Sequence, residues 1–220
     1  MIQRLLQLVF PPKCILCRNL LQPEETDLCH CCRLHAPAFS KSKISFSFIA
    51  RWTGVWYYKD EVRTSLLRFK FYGKRNYAQA FGRVLAMKLL NEQMDDFDIL
   101  TWVPTCFLRR FRRGYDQCAL LAHATGAELG KTSLSTLKKI RNTPPQSRLR
   151  DVSRRRANVL NAYRVTDPAA IAGKRILLLD DIITTGATVS ECAKVLLTAG
   201  AKEVTCAAVA VAVHEKTNCR

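Results

Sequence analysis

Residues 176–188, with the sequence ILLLDDIITTGAT, constrain the fold of this chain more than any other segment. A continuous apolar run is typical of a strand that is buried on both faces of a parallel sheet, so residues 176–179 are predicted to form such a strand. Asp180 and Asp181 then lie at its carboxyl end, where open parallel sheets bind their ligands. The following turn leads into a predicted helix over residues 189–197. This order brings free backbone N–H groups and the positive end of a helix dipole close to the carboxylates.

The turn and the carboxylates have complementary chemistry. N–H groups, three hydroxyls and a helix dipole favour a phosphate monoester at the turn. The turn comprises Thr184, Thr185, Gly186, Ala187 and Thr188. Asp180 and Asp181 can accept hydrogen bonds from the two hydroxyls of a ribose and can favour positive charge nearby. A phosphate pocket beside a diol clamp predicts a 5-phosphoribosyl group. The turn has neither the spacing and lysine of a P-loop nor the G-x-G-x-x-G pattern.

All thirteen residues resemble the phosphoribosyl-pyrophosphate (PRPP) motif of type I phosphoribosyltransferases. The resemblance implies that Asp180 and Asp181 hold the ribose 2′- and 3′-hydroxyls, while the 184–188 turn cradles the 5-phosphate. The alternative interpretation is an ordinary strand, acidic turn and helix, which the hydrophobic pattern alone would also permit.

The chain has 220 residues, enough for one α/β domain with a small appendage but not for two full domains. Its net charge of +17 is concentrated in residues 109–156, which contain thirteen basic and three acidic residues. Such a field attracts polyanions. No stretch approaches the roughly 20 apolar residues of a membrane span. Residues 1–10 are predicted to form a short amphipathic helix that ends at Pro11 and Pro12, rather than a signal peptide.

Four of the ten cysteines have the spacing of metal ligands. Two residues separate Cys14 from Cys17, and eleven residues later Cys29 and Cys32 repeat this spacing. Two such pairs of thiolates can meet at one tetrahedral ion, and ligation by thiolates alone is typical of structural zinc. The rival interpretation is a redox dithiol pair.

Residues 1–48 are predicted to be a zinc module, because they contain too few apolar residues to build a core without the metal. Residues 41–47 are its predicted linker to a domain over residues 49–220. The ligand set stays open, since His30 and Cys31 lie between Cys29 and Cys32, although the two-residue spacer favours the latter pair. Metal-ligand spacing in four cysteines, with the others scattered, indicates a reducing cytoplasm.

From residue 51 onward, predicted strands alternate with predicted helices, which indicates an α/β domain with a parallel sheet flanked by helices. The predicted strands lie at residues 51–58, 99–103, 134–139, 176–179 and 204–213, the first of them at a sheet edge. The predicted helices lie at residues 60–72, 77–91, 115–129 and 189–197. The last two strands are expected to be neighbours, because one helix and the turn at Gly200 separate them.

Several short motifs accompany the PRPP motif. They are FKFYGKR at residues 69–75, VP at 103–104, RRGYDQ at 112–117, NTPPQ at 142–146 and R-x-x-N at 155–158. Together with the cysteine pairs, they resemble the ComF/GntX family of competence-associated, type I phosphoribosyltransferase-like proteins over nearly the whole chain. Two positions depart from the usual family pattern. Residues 105–107 read Thr-Cys-Phe instead of Leu-His-Pro, and Asp116 replaces an asparagine.

The family resemblance implies a PRPP site whose pyrophosphate lies on the loop after Pro104, neutralised by Mg²⁺ and by Arg109 or Arg113. Guanidinium groups pair bidentately with phosphate oxygens. The alternative interpretation of these arginines is a solvated basic turn. The basic segment 138–156 would be the mobile loop that closes over PRPP, and its rival interpretations are a surface loop or a nucleic-acid groove. The zinc module would supply the hood, the part of such enzymes that recognises the acceptor.

Three functions are consistent with these features. The first is a PRPP-dependent transferase with an unidentified acceptor. The second, which the resemblance implies, is a competence factor that binds single-stranded DNA and helicase-type or DNA-processing partners during uptake. Aromatic residues that are interleaved with basic ones could stack bases, although aromatic residues at that spacing are more often core. They are Tyr57, Tyr58, Phe69, Phe71 and Tyr72. The third is a PRPP or nucleotide sensor that keeps the pocket without turnover.

Overall fold

The computed structural model describes residues 11–40, 44–142 and 152–212, without the side chains at positions 152, 154 and 156. Four expectations fall outside these residues. They are the helix at 1–10, the first part of the linker at 41–43, the central part of the basic loop at 143–151, and the end of the last strand at Val213.

The described residues form six strands and eight helices. The strands are β1 (Trp52–Tyr57), β2 (Ile99–Trp102), β3 (Leu137–Lys139), β4 (Tyr163–Val165), β5 (Arg175–Ile183) and β6 (Glu203–Val211). The helices are α1 (His30–His35), α2 (Asp60–Phe71), α3 (Tyr77–Asn91), α4 (Phe107–Arg113), α5 (Gln117–Glu128), α6 (Val152–Val159), α7 (Pro168–Ile171) and α8 (Ala187–Thr198). Among them, every helix is too short or too polar to cross a membrane.

Four strands form a parallel sheet in the order β1-β6-β5-β2. The predicted parallel α/β sheet, the edge position of β1 and the pairing of the last two strands are confirmed. β3 and β4 form a separate antiparallel pair. The sequence did not indicate β4, because three residues of mixed polarity carry no strand pattern.

Helices cover both faces of the sheet, which explains the apolar run of β5. Leu177 and Leu179 pack in one cluster with residues of α2, α3 and α5. Ile176 and Leu178 pack in a second cluster with residues of α8, β3 and β4. A strand with helices on both sides needs apolar side chains at every position, so the acidic residues that follow mark where this cover ends.

β5 is longer than predicted. It continues to Ile183, because its pairing with β6 extends through Ile182 opposite Ala210 and Ile183 opposite Val211. The two carboxylates therefore belong to the strand and not to the turn after it. Backbone hydrogen bonding of the sheet fixes their positions.

The cysteine segment, residues 11–40, packs directly against α2 and α3. Ser65 Oγ donates to the carbonyl of Ile15 at 2.5 Å, and Arg68 donates to the carbonyls of Ile15 and the next residue. Arg83 donates to both carboxylate oxygens of Asp27 at 2.7 Å. Apolar side chains of this segment join the cluster of α2, α3 and α5. The segment thus shares its core with the α/β part of the chain.

Candidate functional site

A cleft of about 1060 Å³ opens at the carboxyl end of the parallel sheet. β2 and β5 lead into it, and its walls come from the end of α2, from α4, from the start of α5 and from β3. Open parallel sheets bind ligands at this edge. The cleft differs from the expectation in one respect: no described residue of the cysteine segment lines it. Tyr58, Leu67 and Phe71 are among the residues that line it.

Asp180 and Asp181 both line the cleft, but their surroundings differ. Asp180 is partly exposed, and its Oδ1 accepts hydrogen bonds from the backbone N–H of Asp181 at 2.8 Å and from the Cys118 thiol at 3.5 Å. Burial and the charge of Asp181 raise the pKa of Asp180 to about 7, although Lys70 opposes this shift. Asp181 is only 3% exposed. Two neighbouring carboxylates that are largely shielded from water favour a nearby cation or hydrogen-bond donor.

Lys70, in the last turn of α2, supplies a cation to this pair. Its Nζ lies 2.9 Å from Oδ1 of Asp181, and the two side chains are 18% and 5% exposed. Burial alone would lower the pKa of Lys70, but the charges of Asp181 and Asp180 outweigh it and raise that pKa above its ordinary value. Lys70 is therefore protonated at neutral pH. Oδ2 of Asp181 is buried and has no hydrogen-bond partner among the described residues.

The predicted phosphate turn connects β5 to α8. Thr184 and Thr188 line the cleft, Thr185 is partly exposed, and Ala187 is the buried first residue of α8. The backbone N–H groups at the start of an α-helix have no partner within the helix. The turn therefore brings two hydroxyls and a helix amino terminus to the cleft that the carboxylates line.

Gly186 caps α8 with a left-handed φ of +74°. A Cβ at this position would lie 2.1 Å from the ring of Phe46, which belongs to the predicted linker. Phe46 also packs on Trp52, with ring centroids 4.7 Å apart. Both the backbone angle and the adjoining ring therefore require glycine here. No sequence pattern indicated that the linker packs against the turn.

The arginines predicted to bind pyrophosphate lie on α4, where a basic turn had been the alternative. Arg109 and Arg113 are partly buried and line the cleft. Arg113 donates to Oε1 of Gln117 at 2.6 Å and stacks over the ring of Phe71 at 4.8 Å. The sequence did not indicate α4, because none of its residues is buried and it therefore lacks a core pattern. Arg109 and Arg113 nevertheless line the same cleft as the two carboxylates.

Two family departures meet in one hydrogen-bonded corner. Asp116 caps α5 by accepting from the backbone N–H groups of Cys118 and Ala119. It also accepts hydrogen bonds from the backbone N–H and the hydroxyl of Thr105. Asp116 therefore ties the loop after Pro104 to the start of α5. Its structural role is that of a helix cap.

Several residues that line the cleft were not assigned to the site from the sequence, among them Lys70, Cys118 and Tyr163. Lys139 also lines the cleft and lies in the basic segment that was expected to close over PRPP. Burial and the charge of Arg109 lower the pKa of Lys139, whose Nζ lies 5.1 Å from the ring centre of Tyr163. Lys70 lies in the FKFYGKR motif, which was the one available signal. Cys118 and Tyr163 reach the cleft through the packing of distant elements, which leaves no local pattern.

The four predicted zinc ligands lie close together. The Sγ atoms of Cys14, Cys17, Cys29 and Cys32 are all within 4.8 Å of one another, and those of Cys17 and Cys29 are 3.6 Å apart. Sulfurs bound at about 2.3 Å to one tetrahedral zinc would be about 3.8 Å apart. Cys31 is exposed. The four cysteines could therefore bind one metal ion.

Backbone N–H groups favour negative charge at this cluster. Burial opposes ionisation of Cys14, but backbone hydrogen bonds from Cys29, Cys17 and Leu16 lower its pKa to about 7. Cys29 caps α1, and its Sγ accepts from the backbone N–H of Cys32 at 3.5 Å. Burial and the neighbouring sulfurs raise the pKa of Cys32. Cys14 therefore ionises more readily than Cys32.

The parallel sheet and the cleft at its carboxyl end agree with a family match. A model described as the phosphoribosyl transferase domain matches residues 85–218, which is more than half of the chain. The protein therefore contains a phosphoribosyltransferase domain.

Two similar proteins indicate which family of phosphoribosyltransferase-domain proteins this chain belongs to. The chain is 30% identical over 191 residues to the Competence protein ComFC of Streptococcus pneumoniae, covering 86% of this chain and 77% of that protein. It is 32% identical over 142 residues to the DNA utilization protein YhgH of Salmonella typhi, covering 62% of this chain and 61% of YhgH. The chain belongs to the ComF family, as its motifs indicated.

One solved structure is similar to part of the chain. The glutamine PRPP amidotransferase from B. subtilis, complexed with ADP and GMP, is 20% identical, with a TM-score of 0.44. The similarity covers 64% of this chain and 30% of that enzyme. This chain thus spans under a third of that enzyme and about three fifths of YhgH.

Proposed function

We propose that the protein binds PRPP together with Mg²⁺ in the cleft and transfers or recognises its phosphoribosyl group. The carrying observation is that the carboxylate pair, the 184–188 turn and two arginines of α4 all contribute to one cleft. PRPP has a diol between two phosphate-bearing ends, so it needs these three kinds of group together. The match to the phosphoribosyl transferase domain supports the same class of ligand.

Each group has a role in this proposal. The hydroxyls of Thr184 and Thr188, with the N–H groups at the start of α8, bind the 5-phosphate. Asp180 and Asp181 accept hydrogen bonds from the ribose hydroxyls. The arginines of α4 compensate the pyrophosphate, where bound Mg²⁺ supplies further positive charge. Displacement at C1 passes through an oxocarbenium-like state, as in glycosyl transfer generally, and the adjacent carboxylates stabilise its positive charge.

Titration calorimetry with two half ligands tests both ends of this site. Ribose 5-phosphate should bind at the turn, and pyrophosphate with Mg²⁺ should bind at the arginines. PRPP should bind more tightly than either, because it combines both sets of contacts. Thr188→Val should weaken binding of ribose 5-phosphate and spare pyrophosphate, and Arg109→Ala should do the reverse. Each variant is the matched control for the other. No PRPP binding at millimolar ligand with Mg²⁺ would contradict the proposal.

Pyrophosphate release distinguishes transfer from sensing. A transferase should release pyrophosphate from PRPP when a suitable nucleobase or amine is present, and the Asp180→Asn variant should release less. A sensor should bind PRPP with the same dependence on these residues and release none with any acceptor.

We further propose that residues 1–48 form a zinc module and residues 49–220 the phosphoribosyltransferase domain. The mutual distances of the four sulfurs support one structural zinc. Elemental analysis of protein purified under reducing conditions should find one zinc per chain. Protein without zinc after such a purification would contradict this part of the proposal.

A second candidate function, binding of single-stranded DNA, is favoured by an exposed surface near the cleft. This aromatic–arginine surface comprises the exposed residues Phe71, Phe107, Phe111, Arg110 and Arg112, of which Phe71 and Arg112 also line the cleft. Its three phenylalanines are 60–78% exposed. Unpaired bases stack on exposed aromatic rings beside cations, and the names of the two relatives refer to competence and DNA utilization. Helicase-type or DNA-processing partners belong to this second candidate.

Fluorescence anisotropy with a labelled oligothymidine tests the second candidate. The affinity should fall with salt, with a log–log slope of about −0.7 per phosphate neutralised. Replacing Phe107 and Phe111 by Ser should weaken DNA binding and spare PRPP, because neither lines the cleft. Arg155 does line it, so Arg155→Ala should affect PRPP binding. DNA affinity that is unchanged by both phenylalanine substitutions would exclude this surface.

A further inference from the structure

The cleft contains a set of possible metal ligands separate from the four zinc-spaced cysteines. Cys118, Asp180 and Asp181 each have one ligand atom within 4.8 Å of the other two. Two carboxylates can bind a hard divalent cation directly, and a thiol extends the set to softer ions. Two further features determine whether this set can bind a metal ion when no ligand is present.

The first feature is the ion pair of Lys70 with Asp181. Nζ lies 2.9 Å from Oδ1, and both side chains are largely buried. A protonated amine at this distance repels a metal ion from the same oxygen, and the repulsion is stronger where little water intervenes. Lys70 also lies close enough to Asp180 for the charge of that carboxylate to act on it. The protein itself therefore supplies a cation to this set.

The second feature is an unsatisfied oxygen atom of Asp181. Oδ2 of Asp181 is buried without a hydrogen-bond partner among the described residues. A buried carboxylate oxygen without a partner is unfavourable. Lys70 thus satisfies one oxygen and leaves the other able to accept a donor or a metal ion. Removing Lys70 would leave both oxygens of a buried carboxylate unsatisfied beside Asp180 and Cys118.

We propose that Lys70 is a built-in cation that keeps metal ions off the Cys118–Asp180–Asp181 set until a phosphoribosyl ligand brings its own Mg²⁺. The purpose of this exclusion rests on the proposed PRPP function, whereas the exclusion itself needs only these four residues. A metal ion bound directly to the carboxylates would occupy the place meant for the ribose hydroxyls. Lys70 is a positioning residue in this proposal, because it acts through Asp181.

Manganese binding to the zinc-loaded, ligand-free protein tests the inference. Lys70→Met removes the charge, and Lys59→Met makes the same change at an exposed position beside the other end of α2. Electron paramagnetic resonance should detect one additional Mn²⁺ in Lys70→Met, bound at least about tenfold more tightly than in wild type or Lys59→Met. Mn²⁺ prefers oxygen ligands and does not compete for four thiolates.

Two further variants separate charge from structure. Lys70→Arg keeps the charge and should exclude Mn²⁺ as wild type does. The double variant Lys70→Met with Asp181→Asn should lose the additional ion, which links that ion to the carboxylate. If Lys70→Met does not fold, Lys70→Gln provides the same comparison.

The outcomes separate this inference from the proposed function. Equal Mn²⁺ affinities of wild type and Lys70→Met would overturn the role of Lys70, whether or not PRPP binds. A gain of Mn²⁺ in Lys70→Met would support it. If wild type at the same time failed to bind PRPP, the proposed function would fail while the exclusion of metal by Lys70 would stand.

Discussion

The cysteine segment and the cleft both bring ionisable ligand atoms together, but the protein holds them in different ways. In the cleft, β5 is paired on both sides and Lys70 compensates the charge of Asp181. In the cysteine segment, regular structure consists of the six-residue helix α1 and two isolated bridges, Lys13 with Leu20 and Ala38 with Trp56. The sheet therefore fixes the geometry of the cleft without a ligand. In the proposed zinc module, an ion would serve the same purpose for the sulfur cluster.

Loss of zinc should have the largest effect on folding, and this effect should be confined to the cysteine segment. Cys14→Ser should release the ion and unfold residues 11–40, since the metal supplies folding free energy on the order of 10 kcal/mol in small zinc modules. Hydrogen exchange should show lost protection there, while β5 and β6 keep theirs. Cys31→Ser changes an exposed cysteine and is the control, with unchanged zinc content. If β5 and β6 lost their protection from hydrogen exchange at the same time, the sheet would not fix its geometry independently of the zinc.

Removal of both carboxylates should have the next largest effect, on ligand binding and not on folding. Asp180→Asn combined with Asp181→Asn should weaken PRPP binding by about 2–4 kcal/mol, because charged hydrogen bonds are lost at two positions. Calorimetry measures the affinity, and circular dichroism should show an intact fold. Asp96→Asn makes the same chemical change at an exposed site and should not alter binding. Unchanged PRPP affinity in the double variant would show that the carboxylates do not hold the diol.

A side chain at Gly186 tests whether the turn is preformed. Gly186→Ala should destabilise the protein by about 1–3 kcal/mol, because the left-handed backbone is strained for alanine and the Cβ would meet the ring of Phe46. Thermal unfolding measures this change, and calorimetry should show weaker binding of ribose 5-phosphate. Adding Phe46→Ala should relieve the contact but not the strain, so partial recovery is expected. Full recovery would show that φ plays no part.

The pH dependence of PRPP binding should show the smallest effect. The pKa of Asp180 is raised to about 7 in the folded protein, so Asp180 loses its charge as the pH falls through 7. PRPP affinity should then decrease by up to about tenfold per pH unit below 7. PRPP phosphates also titrate near this range, so Asp180→Asn is the control that retains only the ligand's contribution. Identical pH profiles for both proteins would exclude Asp180 as the titrating group.

The same shift has a defined sign for stability. The folded state binds a proton on Asp180 more readily than the unfolded state does, because the pKa of the folded state is the higher one. The contribution of this group to the free energy of unfolding should therefore fall as pH rises from about 4 to 7. Chemical denaturation of wild type and Asp180→Asn at several pH values would isolate this contribution. A rise over that interval for wild type relative to the variant would contradict it.

The sequence predicted the sheet well because its signals there are local. The apolar run of β5 reflects burial on both faces, and the parallel order follows from alternating strands and helices. The same local signals missed α4, whose residues are not buried. They also ended β5 too early, because the carboxylates carry no strand pattern even though β6 continues beside them.

For the candidate site, the sequence predicted the carboxylates and the phosphate turn, but it did not predict the ion pair between Lys70 and Asp181. The positions of Asp180, Asp181 and the 184–188 turn in the cleft follow from one contiguous motif. Lys70 is more than a hundred residues away in the sequence, so only the packing of α2 against the sheet brings it to Asp181. The hood was assigned to the zinc module by family resemblance, whereas no described residue of the cysteine segment lines the cleft.

The contact between Phe46 and Gly186 bears on how the chain can be divided. A fragment that begins at residue 49 would carry every residue that lines the cleft, yet it would lack the ring that covers Gly186 and packs on Trp52. In such a fragment, water would reach the side of the turn that the ring of Phe46 covers in the whole chain. Weak phosphate binding by a shortened protein would then reflect the position of the cut. A fragment that begins at residue 44 keeps the ring and is the sounder choice for isolating the domain.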